Sequence, residues 1–268
     1  MVKKIILHGC VSVNGKPVVQ SNFTVRQGDI VEYNKFKAPL HSQDCPFPVL
    51  MEDEHLIVVV KPAGILTYGE KGTSGTSLYK ILTDYLRDRT KGKERIYVVH
   101  RLDREVSGIL MFAKSEKIQE RIKENWKETE KRYYALVEGR PEKKEGTLNN
   151  WLIEGYDKRV FAVKQERPGA KSAITHYTTL KELQTTSLLE VRLETGRKHQ
   201  IRVQLAEMGC PIVGDFKYGA NNKIKRRIRL HAFFFSFIHP VTGQPIELST
   251  QMPKGFLTLG ENDERYKW

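Results

Sequence analysis

At 268 residues, the chain is long enough for one large folded domain or two smaller ones. Its composition, 39% hydrophobic and 29% charged, is that of a folded protein. Its 45 Lys and Arg exceed its 32 Asp and Glu, and the formal charge of +13 favours a polyanionic partner over a surface that is basic only for solubility. No stretch approaches the roughly 20 apolar residues of a membrane span, and three separated cysteines without metal-ligand spacing indicate reduced thiols in a cytoplasmic protein.

The first forty residues predict a small β-rich unit. An Asn14-Gly15 turn joins two short strands, and a second turn at Gly28-Asp29 precedes a third. These features resemble the latter half of the S-four-type RNA-binding module, which is named after a ribosomal protein. That module opens with two helices that residues 1–8 cannot accommodate, so we expect a truncated module and linker over residues 1–40.

A buried strand is predicted to end at Lys61, because Pro62 and Gly64 stop it. A lysine at the mouth of such a strand can bind a phosphate or a carboxylate, or extend its ammonium to solvent. Apolar periodicity then predicts helices near residues 77–89 and 115–130, with Ser115 as the N-cap of the second.

Between these helices, a tight polar cluster separates two apolar runs over residues 98–112. This pattern predicts a loop between strands, and such a loop can point a carboxylate into a cleft. The carboxylate is Asp103, which stands between Arg101 and Arg104. A salt-bridged turn without a function is the alternative interpretation.

After the second helix, Tyr133 and Tyr134 begin a strand. Alternation directs one of them to the core, and the other is free to stack on a base. Residues 143–172 are interpreted as a polar excursion, and a third helix is predicted near residues 198–208. Arg197 at its start favours an anion. Arg202, flanked by apolar residues, requires a carboxylate partner, for which Asp103 is the candidate; a surface arginine is the alternative.

Six motifs in order resemble the RluA-like family of RNA pseudouridine synthases, over about residues 49–253. They are Val59-Val60-Lys61-Pro62-Ala63-Gly64; His100-Arg101-Leu102-Asp103 with Ser107-Gly108; Tyr134; Thr195-Gly196-Arg197 with His199-Gln200-Ile201-Arg202; Gly214-Asp215 with Tyr218-Gly219; and Leu230-His231-Ala232 with His239-Pro240. Three positions depart from the usual family pattern: Val60, Val106 and Gln204.

The resemblance implies an α+β fold, in which a central mixed, mostly antiparallel sheet is flanked by helices. The catalytic domain would occupy residues 41–268, behind the truncated S-four-type module. The implied activity is isomerisation: the enzyme flips a uridine out of structured RNA, breaks its N1–C1′ bond and joins C5 to C1′. No metal, nucleotide or other cofactor is implied, and we expect a monomer whose partner is RNA.

The same resemblance implies the roles of individual residues. Asp103 is the catalytic carboxylate, Arg202 pairs with it, and Tyr134 stacks on the target base. The implied substrate-binding residues are Arg101, which occupies the space left by the flipped base, Lys61 and Arg197.

Two alternatives stay open. A non-catalytic RNA-binding or ribosome-assembly protein could use the same fold, although the joint presence of Asp103, Tyr134 and Arg202 favours the enzyme. A glycosidase would need a second acid, for which only Glu105 is near. As substrate, the partial module favours ribosomal RNA over transfer RNA.

Overall fold

The computed structural model describes residues 11–14, 16–18, 23–33, 45–69, 76–221 and 227–258. The chain divides into two compact units, one formed by residues 1–104 with 110–124 and the other by residues 105–109 with 125–268. The predicted boundary near residue 40 lies outside the described residues. Within the described ranges, no helix is both long and apolar enough to cross a membrane.

The first unit contains a small antiparallel sheet in the order β2-β1-β3. Its strands are β1 (Val11–Val13), β2 (Lys16–Val18) and β3 (Val31–Tyr33). Asn14 adopts the left-handed conformation (φ 52°) that the predicted turn requires. Its side chain donates to the Asp29 carboxylate at 2.9 Å and accepts from the Ile30 N–H at 2.9 Å. The predicted hairpin and second turn are therefore confirmed, and one asparagine joins them.

The larger part of the first unit combines helices with strands. The elements are β4 (Val49–Glu52), β5 (Leu56–Lys61), α1 (Leu78–Thr90), β6 (Tyr97–Val98), β7 (Ser107–Ala113), whose first three residues belong to the second unit, and α2 (Glu116–Glu124). All six residues of β5 are buried. The Ser115 hydroxyl accepts from the Ile118 N–H at 3.3 Å, which confirms the predicted N-cap.

Helix α2 is shorter than the predicted span of residues 115–130. It ends at Glu124, and a single 3₁₀ turn follows over Trp126–Glu128. In the second unit, the Trp126 ring packs against Phe235 at a centroid distance of 6.1 Å and lies 4.6 Å from the Lys131 ammonium. These tertiary contacts of the tryptophan override the local helical periodicity.

The second unit is built on a sheet in the order β10-β9-β11-β12-β8-β13, with β14 also paired to β13. Its elements are β8 (Glu130–Glu138), β9 (Glu145–Glu154), β10 (Val160–Val163), β11 (Lys171–Glu182), β12 (Thr186–Leu193), α3 (Gln200–Glu207), a 3₁₀ turn (Phe216–Tyr218), β13 (Leu230–Ile238) and β14 (Pro245–Ser249). These pairs are antiparallel, whereas the start of β7 pairs with β13 in parallel. The predicted mixed, mostly antiparallel sheet is confirmed.

Residues 143–172 are not the polar excursion that the sequence predicts. They contain β9 and β10, and β9 pairs with β11 over eight residue pairs. The polar Thr147 and Asn149 alternate along β9 with less exposed residues, as expected of a strand with one solvated face. Below that strand, Val203 of α3 packs into a core cluster with Leu152 and Tyr218.

Gly108 sets the approach of β7 to β13. Its backbone has a φ of +124°, and a Cβ at this position would lie 2.2 Å from the Ala232 carbonyl oxygen. Only glycine fits both the dihedral angle and this contact. The glycine of the Ser107-Gly108 motif is therefore required by the backbone at the start of β7.

Candidate active site

Asp103 lies where the sequence predicts, on the loop that joins β6 to β7. We call residues 100–106 the Asp103 loop. Its carboxylate is partly exposed, Arg101 and Arg104 are exposed, and the intervening Leu102 is 5% exposed and anchors the loop in the core. Within the first unit, Leu102 therefore anchors the backbone of residues 100–104, and the neighbouring arginines are exposed.

Hydrogen bonds brace the backbone on both sides of Asp103. The Thr67 hydroxyl donates to the Leu102 carbonyl at 2.7 Å and accepts from the Leu102 N–H at 3.1 Å. On the other side, the Gly64 N–H donates to the Arg104 carbonyl at 2.7 Å, and Arg104 Nε donates back to the Gly64 carbonyl at 3.2 Å. The segment that follows β5 thus holds the residues before and after Asp103.

Lys61 contributes a further brace from the end of β5. Its side chain is fully buried, and its ammonium donates to the carbonyls of Pro62 at 3.0 Å, Ile65 at 2.8 Å and Arg104 at 3.2 Å. The alternative that Lys61 extends to solvent is wrong. Three carbonyl acceptors compensate for burial of the charge and tie β5 to the Asp103 loop.

The two ends of the loop are anchored by histidines. At its start, His100 Nε2 accepts from the Met111 N–H at 3.1 Å. In the second unit, Ser107 hydrogen-bonds to His231 Nδ1 at 3.0 Å, and Thr250 hydrogen-bonds to Nε2 at 2.8 Å. Burial lowers the pKa of His231 to about 3, so the imidazole that receives the end of the loop is neutral at physiological pH.

Tyr134 lies on β8 in the second unit and is partly exposed, whereas Tyr133 is 8% exposed and faces the core. The predicted division between the two tyrosines is confirmed. Phe233, at an irregularity in the β13 register, stacks on the Tyr134 ring with centroids 3.8 Å apart and planes at 9°. Burial, and secondarily the Glu190 carboxylate, raises the pKa of Tyr134, which favours the neutral phenol.

Arg202 is a buried residue of α3, so the alternative of a surface arginine is wrong. Its side chain is 5% exposed and forms a bidentate ion pair with Asp215, which is 1% exposed: Nε and Nη2 donate to the carboxylate at 2.7 and 2.9 Å. The Tyr218 ring lies 5.2 Å from the guanidinium carbon. These contacts fix the plane of the guanidinium.

Asp215 is the residue that sequence reasoning missed. It belongs to the Gly214-Asp215 motif, and the signal that could identify it is an aspartate among turn residues, between Gly214 and Phe216, as a candidate partner for a buried arginine. The predicted pairing of Arg202 with Asp103 joins residues of the two units and stays a prediction.

An amide network inside the second unit holds α3 against the sheet. Gln200 Oε1 accepts from the Thr195 hydroxyl and the Arg197 N–H, both at 2.9 Å, while its Nε2 donates to Thr175 at 2.9 Å. The Thr175 hydroxyl donates to Gln204 Oε1 at 2.6 Å. Gln204, which departs from the family pattern, thus has a structural purpose on the helix that carries Arg202.

Arg197 precedes α3 and is exposed. Its Nε donates to the Ser172 carbonyl at 3.0 Å, which places the side chain along β11. The adjacent Lys198 forms an ion pair with Glu154, and this contact lowers the pKa of the glutamate. The predicted anion at the start of the helix stays a prediction.

Comparison with known proteins assigns these features to a family. The family model of RNA pseudouridylate synthases matches residues 55–207, more than half of the chain, and an S4 domain model matches residues 1–31. The chain belongs to the RluA-like family of RNA pseudouridine synthases. The matched region contains the Asp103 loop, Tyr134 and Arg202.

Individual relatives agree with the family model. A ribosomal large subunit pseudouridine synthase D of Zymomonas mobilis is 31% identical over 276 residues, which cover 96% of this chain and 87% of the relative. The RNA pseudouridine synthase YhcT of Bacillus subtilis is 35% identical, with 94% and 84% covered. The solved structure of human RNA pseudouridylate synthase domain containing 4 shares the fold, with a TM-score of 0.67 and 24% identity over 82% of this chain and 92% of that one.

Proposed function

We propose that this pseudouridine synthase isomerises a specific uridine of structured RNA, with Asp103 as its single catalytic carboxylate. The observation that carries the proposal is the Asp103 loop itself. Its aspartate is partly exposed, while the residues on either side are held by Thr67 and Gly64. A carboxylate presented on a braced backbone needs little reorganisation when a substrate arrives, which is the requirement for electrostatic catalysis.

The substrate proposed here is ribosomal RNA in preference to transfer RNA. The S4 domain match at residues 1–31 and the ribosomal large subunit enzyme of Zymomonas mobilis support this preference. The charge of +13 supports binding to any RNA by neutralising phosphates.

The reaction begins with extrusion of the uridine, because a stacked base cannot reach a carboxylate held on a loop. Unstacking costs a few kcal/mol. The exposed Arg101 offsets this cost by occupying the space left in the RNA, and Tyr134 offers the flipped base an aromatic surface. Phe233 covers one face of that ring and holds it in orientation.

The chemical step breaks the N1–C1′ bond, rotates the base and joins C5 to C1′; the proton on C5 is lost and N1 gains one. Arg202 pairs with Asp103 and aims its carboxylate at the sugar. The reaction is neither a redox reaction nor a hydrolysis, so we propose that it proceeds without metal or cofactor. As separate proposals, the enzyme is a monomer and is located in the cytoplasm.

The test uses RNA from cells that lack the gene. Wild-type protein and Asp103→Asn, which preserves shape and removes charge, are each incubated with this RNA, and pseudouridines are mapped. We expect wild type to restore modification at defined uridines and the variant to restore none, although it binds the RNA and unfolds at the wild-type temperature. Identical maps would mean that Asp103 is not catalytic, as in a protein that only binds RNA.

A further inference from the structure

A row of basic side chains crosses the sheet of the second unit. Arg132 on β8 lies directly opposite Arg192 on β12, and Arg192 lies directly opposite His176 on β11. Directly paired residues of antiparallel strands project from the same face, with Cβ atoms about 4.5–5.5 Å apart. We call these three residues the arginine row.

Two arginines in direct cross-strand register repel each other, so the row is destabilising unless anions compensate it. Arg132 is compensated, because it donates to Glu130 at 2.7 Å and Glu190 at 3.4 Å. His176 Nε2 forms a hydrogen bond with the Glu194 carboxylate. Arg192 is exposed, and among the described residues no carboxylate forms an ion pair with it.

The absence of a partner for Arg192 is not a shortage of carboxylates. Glu190 lies two residues before it on β12, and Glu194 lies two residues after it, directly beyond the end of the strand. Each is oriented toward a neighbouring strand instead, Glu190 toward Arg132 and Glu194 toward His176. The Thr147 hydroxyl, 2.9 Å from His176 Nδ1, holds the histidine from the other side. Arg192 therefore lies between two glutamates that each bind another side chain, and its guanidinium is available to an external anion.

The arginine row lies next to the proposed base-stacking tyrosine. Along β8 and β12, the buried pair Leu136–Leu188 is followed by Tyr134–Glu190 and then by Arg132–Arg192. Tyr134 and Arg192 are thus diagonal neighbours on one face, about 7–8 Å apart by sheet geometry. This spacing suits a base and the adjacent backbone phosphate of one RNA strand.

We infer that Arg192 binds a backbone phosphate adjacent to the uridine that stacks on Tyr134. The planar guanidinium matches two phosphate oxygens at once, which a lysine ammonium cannot do. Glu190 and Glu194 repel a phosphate placed on either side, so the row selects a single position along the strand. This inference rests on the proposed function, since it takes the uridine on Tyr134 as its reference point.

The experiment compares Arg192→Gln and Arg192→Lys with Lys164→Gln. Lys164 is an exposed residue of the turn between β10 and β11, so its replacement removes the same charge away from the row. Binding of a substrate RNA hairpin is measured by fluorescence anisotropy at several salt concentrations, and turnover is measured on the same hairpin.

We expect Arg192→Gln to weaken binding about tenfold at low salt and to reduce the slope of log K against log salt by about 1. KM should rise while kcat stays within about twofold, because the phosphate is not a reacting group. Arg192→Lys should keep the salt slope and lose part of the affinity. Lys164→Gln should change affinity less than about twofold.

A chemical probe identifies the phosphate. Hairpins with one uncharged methylphosphonate at each position near the target uridine are tested against wild type and Arg192→Gln. At one position adjacent to the uridine, the methylphosphonate should weaken wild-type binding about as much as Arg192→Gln does. The same methylphosphonate should have no further effect on binding by the variant. Equal losses in both proteins at every position would overturn the inference.

The inference would also be overturned if Arg192→Gln bound RNA like wild type or like Lys164→Gln. Failure of the proposed function has a different signature. In that case wild type would bind the hairpin without forming pseudouridine. Binding of the methylphosphonate hairpins to wild type and Arg192→Gln would still decide whether Arg192 contacts a phosphate.

Discussion

Asp103 and Arg202 are held in place by different kinds of partner. The Asp103 loop is braced mainly through its own backbone, by Thr67, Gly64 and Lys61 of the preceding segment. Arg202 is instead held by side chains, with Asp215 against its guanidinium and an amide network along α3.

This difference predicts different tolerance to substitution. A backbone acceptor survives replacement of the residue that carries it, so the loop depends on a few donors, chiefly Thr67 and Lys61. The helix depends on paired side chains. Removal of either member of a pair leaves its buried polar partner without a hydrogen bond. The helix should therefore be the more fragile of the two, in stability as well as in activity.

Breaking the Arg202–Asp215 pair should have the largest effect. Arg202→Met leaves the Asp215 carboxylate buried without its arginine, which should cost about 3–5 kcal/mol of unfolding free energy. Urea denaturation measures this loss, and pseudouridine formation should be abolished in the same variant.

A double variant separates stability from catalysis. Arg202→Met combined with Asp215→Leu replaces the ion pair by apolar side chains, which should recover most of the lost stability. Turnover should stay absent if Arg202 aims Asp103. A stable double variant with wild-type turnover would remove Arg202 from the active site and leave it only a structural role.

The brace on the Asp103 loop should have a smaller effect. Thr67→Val removes the hydroxyl that both accepts from and donates to Leu102, at a cost of about 1–3 kcal/mol. We expect kcat to fall more than KM rises, because the loop that carries Asp103 loses its orientation. Thr67→Ser keeps the hydroxyl and serves as the control; if both variants had equal activity, the brace would not position the carboxylate.

The histidine at the end of the loop should make stability depend on pH. His231 stays neutral in the folded protein down to pH about 3, whereas in the unfolded chain its pKa is about 6.5. Below pH 6.5 the unfolded state therefore binds the additional proton, and stability falls as pH falls. The contribution is up to about 1.4 kcal/mol per pH unit.

Comparison with His231→Gln isolates that contribution. Urea denaturation of both proteins at pH 7, 6 and 5 should give a smaller loss of stability on acidification in the variant, whatever its stability at pH 7. Parallel pH profiles for the two proteins would show that His231 does not stay neutral in the fold.

Local patterns predicted much of this architecture. The apolar stripe of α1, the Ser115 cap, the loop around Asp103 and the opposite orientations of Tyr133 and Tyr134 all follow from periodicity and capping. The predictions failed where distant residues decide the outcome. Helix α2 ends early because Trp126 packs on Phe235, and β9 forms in a polar segment because β11 pairs with it.

The sequence by itself determined which chemical groups this protein has available: one loop carboxylate, a strand tyrosine, a helix arginine and a basic surface. Their order along the chain was sufficient to indicate the family. Only the tertiary structure decided their partners. That Asp215 binds Arg202, that Lys61 donates to the Asp103 loop, and that Arg192 stands in register with Arg132 depend on strand register and helix packing. These join residues far apart in sequence, and no local pattern specifies such pairs.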